Sequence, residues 1–169
     1  METERLVLRK LVESDAEMMF ANWTNDEEVT RYLTWLPHNT IEVTKEILED
    51  WIDAYDDPGT VRFGIELKEN HDLIGEIDVV KYIDGVPVLG FASSPKYWGH
   101  GYMTEAGKAF VEYLLSLGHK KIIFEADVRN EASNHLIQKL GFSFSHQESK
   151  TCSIFKPVEI TVNWYELSK

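Results

Sequence analysis

The chain has 169 residues, 43% apolar and 12% aromatic, and its 17 Lys and Arg against 29 Asp and Glu give a formal net charge of −12. That length and apolar content suit a single domain, 1–169, with a sizeable core and argue against disorder. No apolar run approaches the roughly 20 residues that cross a bilayer, and Met1-Glu-Thr-Glu-Arg5 has neither the basic region nor the apolar core of a secretion signal. A cytoplasmic protein without a membrane partner is therefore expected. The one cysteine, Cys152, excludes an internal disulfide and a multi-thiolate zinc site, and reads as an incidental thiol or as a nucleophile.

The charge is concentrated. Between Glu13 and Asp57 thirteen acids stand against two bases, Arg31 and Lys45. A field of that sign repels phosphates, which disfavours nucleic acid as a partner, and it suits a cationic one; the plainer reading is a solvated helical face.

In chain order, Arg5–Leu11 reads as a first strand. Asp15–Trp23 follows as a helix, with Ala16, Met19, Phe20 and Trp23 at helical spacing and Ser14 as its N-cap. Asn39, three residues before Glu42, predicts a second capped helix whose Thr44, Ile47, Leu48, Trp51, Ile52 and Tyr55 form one stripe up to Asp57-Pro58-Gly59. Alternation around Phe63–Leu67 and Ile77–Val79 predicts a hairpin turning near Asn70-His71-Asp72. Ile83-Asp84-Gly85 is a further turn, leading into a strand over Val86–Phe91. A helix carrying Met103, Ala106, Phe110, Tyr113, Leu114 and Leu117 follows and ends at Gly118. Lys121–Val128 is a strand, Asn130 caps a short helix stopped by Gly141, and strands near Phe142–Lys150 and Val158–Leu167 close the order. The fold class is mixed α/β (α+β): a twisted mixed sheet of about seven strands with helices on both faces. The histidines have no metal-binding spacing, so no metal is expected.

The most informative segment is Pro95-Lys-Tyr-Trp-Gly-His-Gly-Tyr-Met-Thr-Glu-Ala-Gly107, placed between a strand and a helix. Gly99 and Gly101 let the backbone turn sharply and aim several N–H groups at one anion, with the positive end of the helix behind them. Taken alone, the two glycines also fit an ordinary turn. Together with Asn130-Glu-Ala-Ser133 and Lys139-Leu-Gly-Phe142, however, this segment resembles the GNAT N-acetyltransferases, and within them the RimJ/RimL-type ribosomal-protein N-terminal acetyltransferases. Arg5–Leu11 followed by Ser14-Asp15 resembles that branch's opening, so the resemblance covers most of the chain.

The resemblance implies one GNAT domain whose sheet splays between its fourth and fifth strands, with acetyl-CoA in the gap. It would place the pyrophosphate on the amides of Gly99, His100, Gly101, Tyr102, Met103 and Thr104, the pantetheine along Phe91, Ala92 and Ser93, and Trp98, Asn130 and Ser133 against the cofactor. Trp98 and Met103 depart from the family's broader glycine-loop pattern and fit the Rim-type variant.

Amine acetylation needs a neutral amine, an oxyanion donor and a proton for the departing thiolate. An N–H of Phe91 or Ala92 is the expected oxyanion donor. The tyrosine that many relatives use as acid is replaced by Ile137, and the resemblance carries that role to Ser133, which otherwise serves only as a CoA ligand; Asn130 likewise reads as a cap or a contact. For the base the candidates are Glu76, Asp78, His146 and Glu148, with Glu76 the one assigned as catalytic, and Cys152 stands where Rim-type enzymes offer a carboxylate. A strand carboxylate is more often a solvated face, Glu105 also reads as a favourable anion in the first helical turn, and an α-amine is already substantially neutral near pH 7.7 to 8.0. Trp23, Trp35 and Trp51 read as walls of an acceptor pocket or as core. The implied function is transfer of acetyl to an amine by direct attack, the acceptor being a protein N-terminal α-amine. The alternatives are a small amine (polyamine, amino acid or aminoglycoside) or an acyl-CoA-binding module without turnover. Homodimers are common in the family, while the residues themselves do not give the oligomeric state.

Overall fold

In a computed structural model, which describes residues 1–169, the strands are β1 (Leu6–Arg9), β2 (Arg62–Leu67), β3 (Leu73–Ile83), β4 (Val86–Ser93), β5 (Lys121–Asp127), β6 (Ser143–Thr151) and β7 (Glu159–Ser168). The helices are α1 (Ala16–Met19), α2 (Glu27–Thr30), α3 (Ile41–Asp53), α4 (Tyr102–Ser116) and α5 (Glu131–Lys139). All seven strands form one sheet in the order β1-β2-β3-β4-β5-β7-β6, and β4–β5 is its one parallel pair. The predicted mixed sheet and the element order are observed.

Strand alternation puts neighbouring residues on opposite faces. Ile77, Phe91 and Phe124 therefore join Phe110 and Leu114 of α4 and Ile137 of α5 in one core, while Leu73 and Ala92 join Met19, Trp23 and Leu48 in a second core under α1–α3. The Asp84-Gly85 turn has φ of 50° and 79°, the paired left-handed geometry of a tight hairpin. No helix is long and apolar enough to cross a membrane.

Both early caps differ from expectation. Asp15, not Ser14, organises the first helical entry: its carboxylate accepts from the Val12 amide at 2.8 Å and takes both terminal nitrogens of Arg9 at 2.8 Å, a charge-assisted fork that a serine hydroxyl cannot match. The chain beyond Met19 runs on as a π turn over Phe20–Thr24, and α2 is capped by Asp26, whose Oδ1 accepts from Glu28 and Val29. The residue before α3 is Thr40 rather than Asn39.

His38 ties these elements together. It is buried, its amide donates to the Thr24 carbonyl at 2.8 Å, and its Nδ1 lies 2.8 Å from the Thr44 hydroxyl, itself 2.9 Å from that of Thr24. Burial disfavours the imidazolium and lowers the His38 pKa. The unfolded chain therefore binds a proton below about pH 6.5 that the folded chain resists, and the stability supplied by neutral His38 is lost as pH falls. The expected result is a stability gap between wild type and His38→Gln that narrows from about pH 7.5 to about pH 5 in denaturant titrations. A gap independent of pH would assign His38 to packing alone.

Candidate active site

β4 and β5 pair only at Val88↔Ile123 and Leu89↔Phe124. Beyond that point Gly90–Ser93 and Glu125–Asp127 diverge, each still paired to its outer neighbour, β3 or β7. The Ser94 amide donates to the Ile74 carbonyl at 2.8 Å, so by antiparallel alternation Ala92 bonds toward β3 while the amides of Phe91 and Ser93 face the gap. Of the two oxyanion donors considered from sequence, only Phe91 has the right direction.

The gap opens into a cleft of about 690 Å³. On its β4 side lie Phe91, Ala92, Ser93, Trp98, Gly99, Gly101, Tyr102, Met103 and Thr104. Gly99 and Gly101 have φ of 79° and 80°, in the left-handed region that favours glycine. The Trp98 indole N–H pins the loop to the Ser93 carbonyl and hydroxyl, both at 3.1 Å. No side chain caps α4; its first intrahelical bond is from the Glu105 amide to the Gly101 carbonyl at 3.0 Å, leaving the preceding amides for an anion. His100 departs from expectation. Between two left-handed glycines it sits at the outer tip, where its carbonyl accepts from Arg5 Nη1 at 3.0 Å, and it does not line the cleft.

Glu105 is a structural clamp. It accepts from the Thr3 hydroxyl at 2.6 Å, the Arg5 amide at 2.8 Å and Arg5 Nε at 2.7 Å. Partial burial works against its charge, but these bonds outweigh it and hold its pKa below the usual carboxylate value. The segment before β1 is thereby tied to the start of α4.

The opposite wall is the start of α5, where Asn130 and Ser133 line the cleft with Arg129, Glu131, Leu136 and Lys139. The Asn130 Oδ1 accepts from the Ser133 amide at 3.1 Å, so it is a helix cap as well as a wall residue. The Ser133 hydroxyl makes no hydrogen bond within the protein. Its helix is held by Asn134, whose Nδ2 donates to the Asp127 and Asn130 carbonyls while its Oδ1 accepts from Tyr165 and Asn163 at 2.7 Å. Asn134, Asn163 and Tyr165 carry no sequence signal for this role, because their contacts join α5 to β5 and β7.

The remaining candidates lie elsewhere. Glu76 and Asp78 are buried on β3, 6% and 5% exposed, not on a solvated face. One guanidinium, Arg62, bonds both, and it stacks 3.6 Å over Trp51. Desolvation pushes Glu76 up to about 8 and Asp78 up to about 6, with Arg62 opposing the shift in both. Neither lines the cleft, nor do His146 and Glu148, which flank Trp164 on exposed β6. Cys152 is half-buried, directed to the Leu33 carbonyl. Trp23 is core, Trp35 packs at a tilt against His38, and Trp51 carries Arg62; from that early segment the cleft takes Glu28, Val29, Arg31, Tyr32 and Leu33 instead. Of the thirteen early acids only Glu28 lines the cleft.

A model of the GNAT acetyltransferase domain matches residues 5–143. The uncharacterized N-acetyltransferase YoaA of Bacillus subtilis (strain 168) is 34% identical over 145 residues, 84% of this chain and 81% of the relative. Among solved structures, a GNAT-family acetyltransferase from Bacillus anthracis superimposes with a TM-score of 0.84 at 24% identity, covering 99% of this chain and 96% of that one. An acetyltransferase from Salmonella typhimurium that modifies the N-terminal serine of a 50S ribosomal subunit protein does so with a TM-score of 0.82 at 17% identity, covering 99% and 96%. With a splayed parallel pair, an uncapped helix start between them and a family match over most of its length, the chain belongs to the GNAT acetyltransferases and is an acyltransferase.

Proposed function

We propose that residues 1–169 act as one domain that transfers the acetyl group of acetyl-CoA to an amine by direct attack in a ternary complex. The favoured acceptor is a protein N-terminal α-amine of the kind used in the RimJ/RimL branch. The observation that carries this reading is the single cleft that has the uncapped start of α4 on one wall, the unpartnered Ser133 hydroxyl on the other and the Phe91 amide at the splay between them. The amides before Glu105 hold the pyrophosphate, assisted by the Thr104 hydroxyl. The free backbone edge of Phe91–Ser93 pairs with the pantetheine like an added strand. The Phe91 N–H stabilises the oxyanion as the amine nitrogen bonds to the thioester carbon. When the C–S bond breaks, Ser133 gives its proton to the sulfur and is reprotonated from the amine, so the net transfer is one proton from nitrogen to sulfur. An α-amine with a pKa near 7.7 to 8.0 is already largely neutral at slightly alkaline pH, so no cleft carboxylate has to take a proton before attack.

A small-amine reading also has support in the fold: the microcin C7 self-immunity acetyltransferase MccE, solved with acetyl-CoA and AMP, superimposes with a TM-score of 0.84 at 18% identity. Thiol release measured against N-terminal peptides, polyamines, amino acids and aminoglycosides separates the two. In Ser133→Ala, kcat is expected to fall about 100-fold, the low end for a lost general acid, with CoA affinity within about threefold of wild type. Unchanged kcat in that variant would reduce Ser133 to a ligand of the cofactor.

A further inference from the structure

Across the gap from the glycine loop, the cleft carries a chemistry that the acidity of the chain does not suggest. Tyr32 has two guanidiniums near its ring, with Arg31 Cζ 5.4 Å and Arg129 Cζ 5.8 Å from the centroid, and all three residues line the cleft. Arg129 spends Nε and Nη2 on Asp127, at 2.9 and 2.6 Å, and leaves Nη1 free on a side chain that is 61% exposed. Arg31 forms no ion pair, although Glu28 and Glu131 line the same cleft. The platform beneath is braced from the β6–β7 connection, where Lys156 Nζ donates to the Thr30, Arg31 and Leu33 carbonyls at 3.0, 2.8 and 3.4 Å.

Because β4 and β5 are parallel, their C-terminal ends border the same opening: β4 leads to the phosphate loop and β5 leads to Arg129. The arginines thus stand on the β5 side, away from the amides that suit the cofactor's pyrophosphate. Guanidinium forks beside an aromatic face suit a carboxylate or phosphate, which they bind bidentately.

We infer that the acceptor carries a carboxylate beside its reacting amine, held by Arg31 and Arg129 beside Tyr32. This rests on the acetyl transfer proposed for the cleft and names its substrate class. In a protein N-terminus the anion is an acidic side chain within the first residues; in a small acceptor it is the carboxylate of an amino acid.

The test is binding to the CoA-loaded protein of two matched pairs: the peptide amides Ser-Asp-Glu and Ser-Asn-Gln, and free aspartate against asparagine amide. One acidic member is expected to bind at least about tenfold tighter than its partner, the pair that shows it identifying the source of the anion. In Arg31→Gln, which breaks no ion pair, that preference should shrink to about twofold with CoA affinity unchanged, and Arg31→Lys should fall between. A wild type without preference in either pair overturns the inference, as does an Arg31→Gln variant that loses CoA affinity by the same factor. Thiol release with the same ligands separates the two readings: a binding preference without release sinks the acetyl transfer and leaves the anion site standing, whereas release without preference sinks the anion site alone.

Discussion

Gly101→Glu is expected to lose CoA binding by about 100-fold or more, roughly 3 kcal/mol. Gly101 sits at φ 80° at the start of α4, and a residue with a Cβ there costs about 1–2 kcal/mol of backbone strain. A Cβ at this position meets only Arg5 Nη2, at 3.6 Å, so crowding is not the main term. The glutamate would place a negative charge among the amides that suit an anion, and it competes with Glu105 for Arg5, loosening the clamp on the loop. Gly101→Ala carries the strain without the charge and should lose about tenfold. Calorimetric titration with CoA, on variants whose circular dichroism matches wild type, reads both effects. A Gly101→Glu affinity within threefold of wild type would overturn the phosphate cradle and, with it, the orientation of the cofactor in the cleft.

The second large effect concerns stability. Arg62→Ala removes the one cation shared by Glu76 and Asp78 and is expected to destabilise the fold by about 3 kcal/mol or more near pH 8, because it leaves buried carboxylates without a counter-charge. The sign of the pH dependence follows from desolvation. Both folded pKa values are raised above those of the unfolded chain, so the folded state holds protons that the unfolded state has released. Stability contributed by the neutral forms is full below the unfolded pKa values, about pH 4, and is lost as pH rises through the raised folded values of the pair. Without Arg62 the carboxyls protonate more readily still, so the deficit of Arg62→Ala should be smaller at pH 5.5 than at pH 8.5. Glu76→Gln, neutral at every pH, should flatten the wild-type slope. Urea midpoints at the two pH values test this, and a deficit that grows on acidification would contradict it. The cluster also bears on the splay: Glu76 and Asp78 pair with Ala92 and Gly90, the residues on either side of Phe91.

Much of the fold is legible in the residues because local chemistry specifies it. The order of strands and helices follows from alternation, from Gly118 and Gly141 at left-handed helix ends and from the Asp84-Gly85 turn, each a preference that needs no distant partner. The β4 wall of the cleft is legible for the same reason: most of Phe91–Thr104, one continuous strand-loop-helix segment, lines it. The first cap differs from expectation because the nearby Arg9 and the Val12 amide both engage Asp15, while the Ser14 hydroxyl makes no hydrogen bond.

Only the tertiary structure decided what depends on residues far apart in the chain. Burial turned Glu76 and Asp78 from surface carboxylates into a desolvated pair, because α3 and Arg62 close over β3. The placement of Ser133 depends on Asn134, Asn163 and Tyr165, which meet only once β5 and β7 are paired. The acidic count of the early segment does not describe the cleft, since charge acts through position: of those acids only Glu28 lines it and Asp15 is buried against Arg9, while Arg31, Tyr32 and Arg129 converge on it from distant parts of the chain. A composition records how much charge a protein carries, and only the folding of the chain determines which part of it a substrate meets.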